Sequence, residues 1–156
     1  NLESSIRSCG KLCNRLGIYL VFCEAITNSK VRGALTTYKQ HPAIYLSNRF
    51  KRHDYIWFAF IHEIAHLLKH YNKNETIISY DDLDDRKDYK ELEANEFARD
   101  FFINPEDYKK FISKNVFTKE SIMQFAIKQN VQPGIVVARL QHDRYIGYDQ
   151  LSYLRR

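Results

Sequence analysis

The stretch DYIWFAFIHEIAHLLKHY, residues 54–71, decides how the chain is read. It is apolar over most of its length, it lacks Gly and Pro, and it carries His62-Glu63-Ile64-Ala65-His66. Residues four apart on a helix lie one above the other on the same face. His62 and His66 can therefore offer two imidazole nitrogens to one metal ion, with Glu63 beside them as a general base. That is the H-E-x-x-H spacing of zinc hydrolases, two ligands and a carboxylate that takes a proton from an attacking water. A buried amphipathic helix would explain Ile56, Phe60, Ile64 and Leu67. It would not explain two histidines and a glutamate in so apolar a run, because unpartnered buried polar groups cost roughly 2–7 kcal/mol.

A third ligand is needed, and His70 cannot supply it. His62 and His70 are separated by about 12 Å along a helix, at a rise of about 1.5 Å per residue, whereas metal–nitrogen bonds are only about 2.0–2.1 Å. The longer metzincin motif fails as well, because Lys69 and Asn72 stand where it requires Gly and His. The best source is KELEANEFARDFFINP, residues 90–105. Glu91, Ala94, Asn95 and Ala98 share one helical face, and the two alanines allow close approach to another helix. Phe97 and Phe101 form a neighbouring ridge. Glu93 points well round the helix, so Glu91 is preferred over Glu93 and Glu96.

Together the two segments resemble the ImmA/IrrE family of zinc metallopeptidases, in which an HExxH helix precedes a segment of the form E-x-x-A-N-x-F-A-x-x-(two apolar)-x-P. HEIAH and ELEANEFARDFFINP fit that form, with aromatic Phe101-Phe102 where aliphatic residues are more usual. The likeness extends over roughly residues 15–145. It implies His62, His66 and Glu91 as metal ligands, Glu63 as catalytic base, and Zn2+ as cofactor, with Mn2+ as an alternative. It implies a gluzincin-type endopeptidase whose substrate is a specific helix-turn-helix transcriptional repressor or an antitoxin. Related proteins are associated with mobile elements, stress response and toxin–antitoxin loci, and the resemblance implies a part in transcriptional regulation without saying which of these applies. The competing expectation is a regulatory or sensor domain with a metallopeptidase-like site and little or no proteolysis; an intact Glu63 argues against it.

The expected fold class is α+β, a zincin-like minidomain. Residues 2–16 read as a helix with Leu2, Ile6, Cys9, Cys13 and Leu16 on one stripe, stopped by Gly17. Strands follow at 18–23, at 31–38 with Gly33 marking a bulge or close backbone approach, and at 43–46 after a turn at His41-Pro42. These make a small three-stranded mixed sheet, followed by the HExxH helix and the glutamate helix. In zinc peptidases of this type the substrate backbone adds to an open strand edge, and by resemblance 31–38 is the candidate for that edge. Residues 72–88, polar and acidic (Asp81, Asp82, Asp84, Asp85, Asp88) with an apolar patch at Ile77-Ile78, read as a loop. The C-terminal part is helical: a short helix over 106–113, one over 118–129 capped by Thr118, and one over 135–142.

The last two have the look of a helix-turn-helix pair. A DNA-reading helix should open with polar and basic residues, and this one opens Ile-Val-Val-Ala, so packing is the expected role and direct nucleic-acid binding is not. Net charge is +5, but acidic clusters interrupt it and no dense basic block forms. With 156 residues, a single domain is expected, residues 1–104 forming the metal-bearing core and 105–156 the helical part. The opening at Asn1 without Met is read as the later part of a longer protein, with an upstream helix-turn-helix module expected by resemblance. No membrane span or signal peptide is visible. Three cysteines without zinc-ribbon spacing point to a reducing cytoplasm, with Cys9 and Cys13 as small core residues. Arg139, His142, Tyr145 and Tyr148 are weak candidates for an oxyanion donor, each better explained by packing or exposure.

Overall fold

A computed structural model of the protein describes residues 2–24, 29–47, 52–80 and 88–155. The elements run α1 (Leu2–Arg15), β1 (Tyr19–Cys23), β2 (Val31–Tyr38), β3 (His41–Ser47), α2 (His53–Lys69), β4 (Ile77–Tyr80), α3 (Tyr89–Phe102), α4 (Pro105–Ser113), α5 (Lys119–Gln129) and α6 (Pro133–His142), with a final 3-10 turn at Ser152–Arg155. This is the expected α+β class. Two compact units divide it, one of residues 1–51 and 55–97, the other of 52–54 and 98–156. Among the described residues, no helix is long and apolar enough to cross a membrane.

In the first unit, α1 ends where Gly17 adopts φ +76°. The Gly17 N–H donates to the Asn14 carbonyl (3.1 Å) and the Ile18 N–H to the Cys13 carbonyl (2.8 Å). That closure satisfies helix-end carbonyls and needs a residue that tolerates the left-handed region. Leu16 departs from the expected apolar stripe: it lies beyond the helix and is exposed. Cys13 is buried and Cys23 exposed, and all three cysteines are free thiols.

The sheet has four strands in the order β1-β3-β2-β4, not three. β1 runs parallel to β3, while β2 is antiparallel to both β3 and β4. Two further expectations are corrected here. The turn before β3 sits at Lys39 and Gln40, both at positive φ (47° and 69°), which gives a two-residue hairpin closed by the Tyr38–His41 pair; paired positive φ values match the right-handed strand twist. Pro42 lies inside β3, just ahead of the pairing with β1 that begins at Ala43, so its missing N–H forfeits no bond to β1. More important for function, β2 is not an open edge. Its second side is covered by β4, which arises from the segment read as a loop. Residues 81–87 of that segment lie outside the described residues.

The apolar face of α2 packs on this sheet. Leu35, Ile44, Leu46 and Ala59 form the buried centre, with Ile18, Leu20, Phe22, Phe60, Ile64, Leu67 and Tyr71 around it. The strand alternation of β2 buries Gly33 and Leu35 on one side. α2 also carries His62, Glu63 and His66, all with at most 1% exposure, and β2 and β4 reach them through Arg32, Gly33 and Ser79.

The second unit is a small helical core around Ile103, Tyr108, Ile122, Phe125, Val136, Val137 and Leu140. Phe111 stacks flat on Phe125 at 4.2 Å between centroids. Thr118 and Ser121 form a reciprocal capping box at the start of α5, and Asn130 closes its end in the left-handed conformation. α6 opens at Pro133, two residues before the expected start, and its Val136 and Val137 are fully buried, which is the packing role their apolarity suggests. Arg155 ties the end of the chain in by donating to Gln141 (2.9 Å) and to buried Asp54 (3.1 Å from Nε).

Candidate metal centre

Four elements of the first unit deliver side chains to one buried point. From α2, Nε2 of His62 and Nε2 of His66 lie 3.1 Å apart. From the first turn of α3, Glu91 places Oε2 2.8 Å from His62 Nε2 and Oε1 2.9 Å from His66 Nε2. From β4, Ser79 Oγ stands 3.2 Å from His62 Nε2, 3.5 Å from His66 Nε2 and 3.1 Å from Glu91 Oε1. From β2, Arg32 points Nη2 at His62 Nδ1, 3.2 Å away. His62, His66 and Glu91 are all buried and form a group able to hold a metal ion.

The donor chemistry fits a divalent cation. Two imidazole nitrogens and a carboxylate converge on a single point, and each imidazole becomes a ligand there once that nitrogen gives up its proton. Donors about 2.0 Å from a tetrahedral centre lie roughly 3.3 Å from one another, and the separations among the three here run from 2.8 to 3.1 Å. Glu91 carries the charge. Burial works to raise its pKa, but the hydrogen bonds from His62 and His66 overcome that and hold it well below the carboxylate range. Burial pushes His62 down to about 4, against a smaller upward pull from Glu91 and with Arg32 and His66 adding to the fall, so its ring is neutral and ready to ligate.

Glu63 behaves in the opposite way. Burial raises its pKa to about 7, opposed by His66, the Ser79 hydroxyl and Arg32. Its Oε2 is buried without a hydrogen-bond partner. The space beside it exists because residue 33 is glycine: a Cβ there would lie 2.8 Å from Glu63 Oε1 and 3.0 Å from the Tyr45 carbonyl oxygen. Gly33 thus marks both features proposed for it, a register irregularity in β2 and a close approach. Gly33→Ala is expected to lower stability in denaturant unfolding by about 1–3 kcal/mol. The same change displaces the Glu63 carboxylate and leaves metal content, measured by elemental analysis, unchanged.

His70, placed outside the ligand set by helix geometry, sits behind His66 with Nδ1 3.0 Å from His66 Nδ1. Burial and His66 lower its pKa, with Glu93 pulling the other way. Glu93 itself is partly exposed, 3.6 Å from His70 Nε2 and 4.0 Å from Lys69 Nζ, away from the converging donors. Among the weak candidates of the second unit, Arg139 and His142 both engage Asp143, at 2.7 and 3.2 Å, and Tyr145 and Tyr148 are exposed.

Sequence reasoning missed two residues of the site. Arg32 lies in a strand whose alternation gave no reason to single it out, although an arginine beside Gly33 puts a cation on the neighbour of the close approach. Ser79 was hidden in a short segment. Its signal was a small hydroxyl in an apolar β-favouring run, Ile77-Ile78-Ser79-Tyr80, in which Ser79 is fully buried while Ile78 and Tyr80 are exposed.

No curated protein matches the chain. Residues 13–141, however, match the IrrE N-terminal-like domain, a stretch that takes in α2, β4, α3 and every side chain of the metal centre. With most of its length so matched, the chain belongs to that peptidase family and carries a metallopeptidase-like domain.

Proposed function

We propose that this domain is a zinc-dependent endopeptidase of gluzincin type that cuts a helix-turn-helix repressor or an antitoxin in a reducing cytoplasm. The observation that carries the reading is Glu63: a buried carboxylate with Oε2 unpartnered, next to three converging metal donors. A carboxylate so placed is what proton abstraction from a bound water requires. A site that only binds metal has no use for it.

His62, His66 and Glu91 would hold the ion. Zinc suits two imidazoles and a carboxylate, with manganese the alternative where it is more available. Zinc bound there supplies Lewis acidity, acidifying a water and polarising the peptide carbonyl. Glu63 accepts the proton of the attacking water and returns it to the departing amine, so each cycle restores its charge.

The decisive experiment incubates the zinc-loaded protein with a repressor encoded beside it. A discrete cut should appear that chelator abolishes, added zinc restores and Glu63→Gln prevents. An intact repressor with the fully loaded wild type, or equal cutting by Glu63→Gln, refutes the proposal.

A further inference from the structure

Ser79 does something in this site that the peptidase reading does not call for. A catalytic zinc site keeps one position open for water or substrate, whereas four protein donors make a closed, structural arrangement. The Ser79 hydroxyl lies 3.1–3.5 Å from all three of the donor atoms it faces. Four donors around a tetrahedral ion have a spacing of roughly 3.3 Å. His62 Nε2, His66 Nε2 and the Glu91 carboxylate converge with Ser79 Oγ beside them, so a fourth oxygen at donor spacing belongs to the chain itself.

The element that brings Ser79 there is equally telling. β4 has four residues and pairs antiparallel with β2, with Ser79 opposite Gly33 and a register irregularity between Val31 and Gly33. Among the described residues only β2 pairs with it, at the end of the sheet order. An extended peptide adding to a sheet edge would pair with β2 in this manner. β4 thus occupies the place where a substrate strand would lie, with a side chain on the metal centre, and a four-residue strand held along one side can open at low free-energy cost.

We propose that Ser79 is the fourth donor of the metal centre in the resting protein, and that β4 must leave β2 before water and a substrate strand can enter. The part concerning turnover rests on the peptidase reading; the part concerning the fourth donor does not. In this state the chain is held inactive by its own edge strand.

The test reads coordination directly. Protein loaded with Co2+ is titrated with azide, a small anion that takes an open metal position, and binding is followed by the visible absorption of the cobalt. Wild type should respond weakly. Ser79→Ala should bind azide at least about tenfold more tightly, while Ser79→Thr, which keeps the hydroxyl, should behave as wild type. Equal azide affinity in wild type and Ser79→Ala overturns the proposal. So does avid azide binding by wild type alone, a result that requires no variant to fold. Repressor cleavage then separates the two ideas. If azide affinity depends on residue 79 but no form of the protein cuts, the peptidase reading fails and the fourth donor stands. If cutting occurs while azide affinity ignores residue 79, the reverse holds.

Discussion

Glu91→Ala is expected to empty the metal centre. Loss of a residue that merely orients a metal ligand weakens binding by about 10–100-fold, and Glu91 is placed as a ligand itself, so the loss should exceed about a hundredfold. It also supplies the only negative charge among the three converging donors. Without it, two buried imidazole nitrogens 3.1 Å apart lose the partner they share. Glu91 is held ionised well below its ordinary range by His62 and His66, against the opposing effect of burial. A depressed carboxylate contributes stability above its unfolded pKa and loses it as pH falls through the folded value. The variant should therefore be less stable than wild type at neutral pH, and the gap should close on strong acidification. Elemental analysis and competition with a chromophoric chelator check the first effect, and denaturant unfolding at several pH values the second. Glu93→Ala, at the partly exposed neighbour, should retain its ion. Stoichiometric metal in Glu91→Ala would dismiss the site.

Glu63→Gln should do two opposite things. Activity should fall by about 10²–10⁴-fold, the usual contribution of a positioned general base, with the ion retained because Glu63 is not among the ligands. At the same time the apoprotein should become more stable. Burial raises the Glu63 pKa to about 7 from an ordinary 4.5, so the folded chain holds a proton there that the unfolded chain has released. Stability consequently declines as pH rises from about 4.5 to 7, and the full cost remains above that. Glutamine removes the charge. The gain should be of order 1–3 kcal/mol at pH 8 and vanish near pH 4.5, read as apoprotein unfolding free energies. Equal stability at both pH values would show that Glu63 is not the desolvated base described here.

Much of this was legible in the sequence because the relevant spacings are local. His62 and His66 need only helix geometry to share a face, and the Glu91-Ala94-Ala98 pattern needs only the 3.6-residue period. The strands at 18–23 and 31–38 came from apolar, β-branched runs, and the capping of α5 from Thr118. What escaped was set by pairing between distant segments. β4 is too short to declare itself by periodicity, and it is a strand because β2 has a free side for it. Without that pairing, β2 reads as an edge and Ser79 as a loop residue. The hairpin turn was misplaced for a related reason: Pro42 reads as a breaker, yet its position ahead of the β1 ladder makes it harmless, and Lys39 and Gln40 turn instead.

The second and third donors of the centre have a further consequence. His66 and Glu91 are 25 positions apart and belong to separate helices, so an ion shared between them would close that length of chain much as a cross-link would. Ligand that binds only the native chain stabilises it in proportion to the logarithm of its free concentration. A cell starved of the ion would then carry a looser, more degradable form of this protein, and supply of a trace nutrient would govern its lifetime as well as its chemistry.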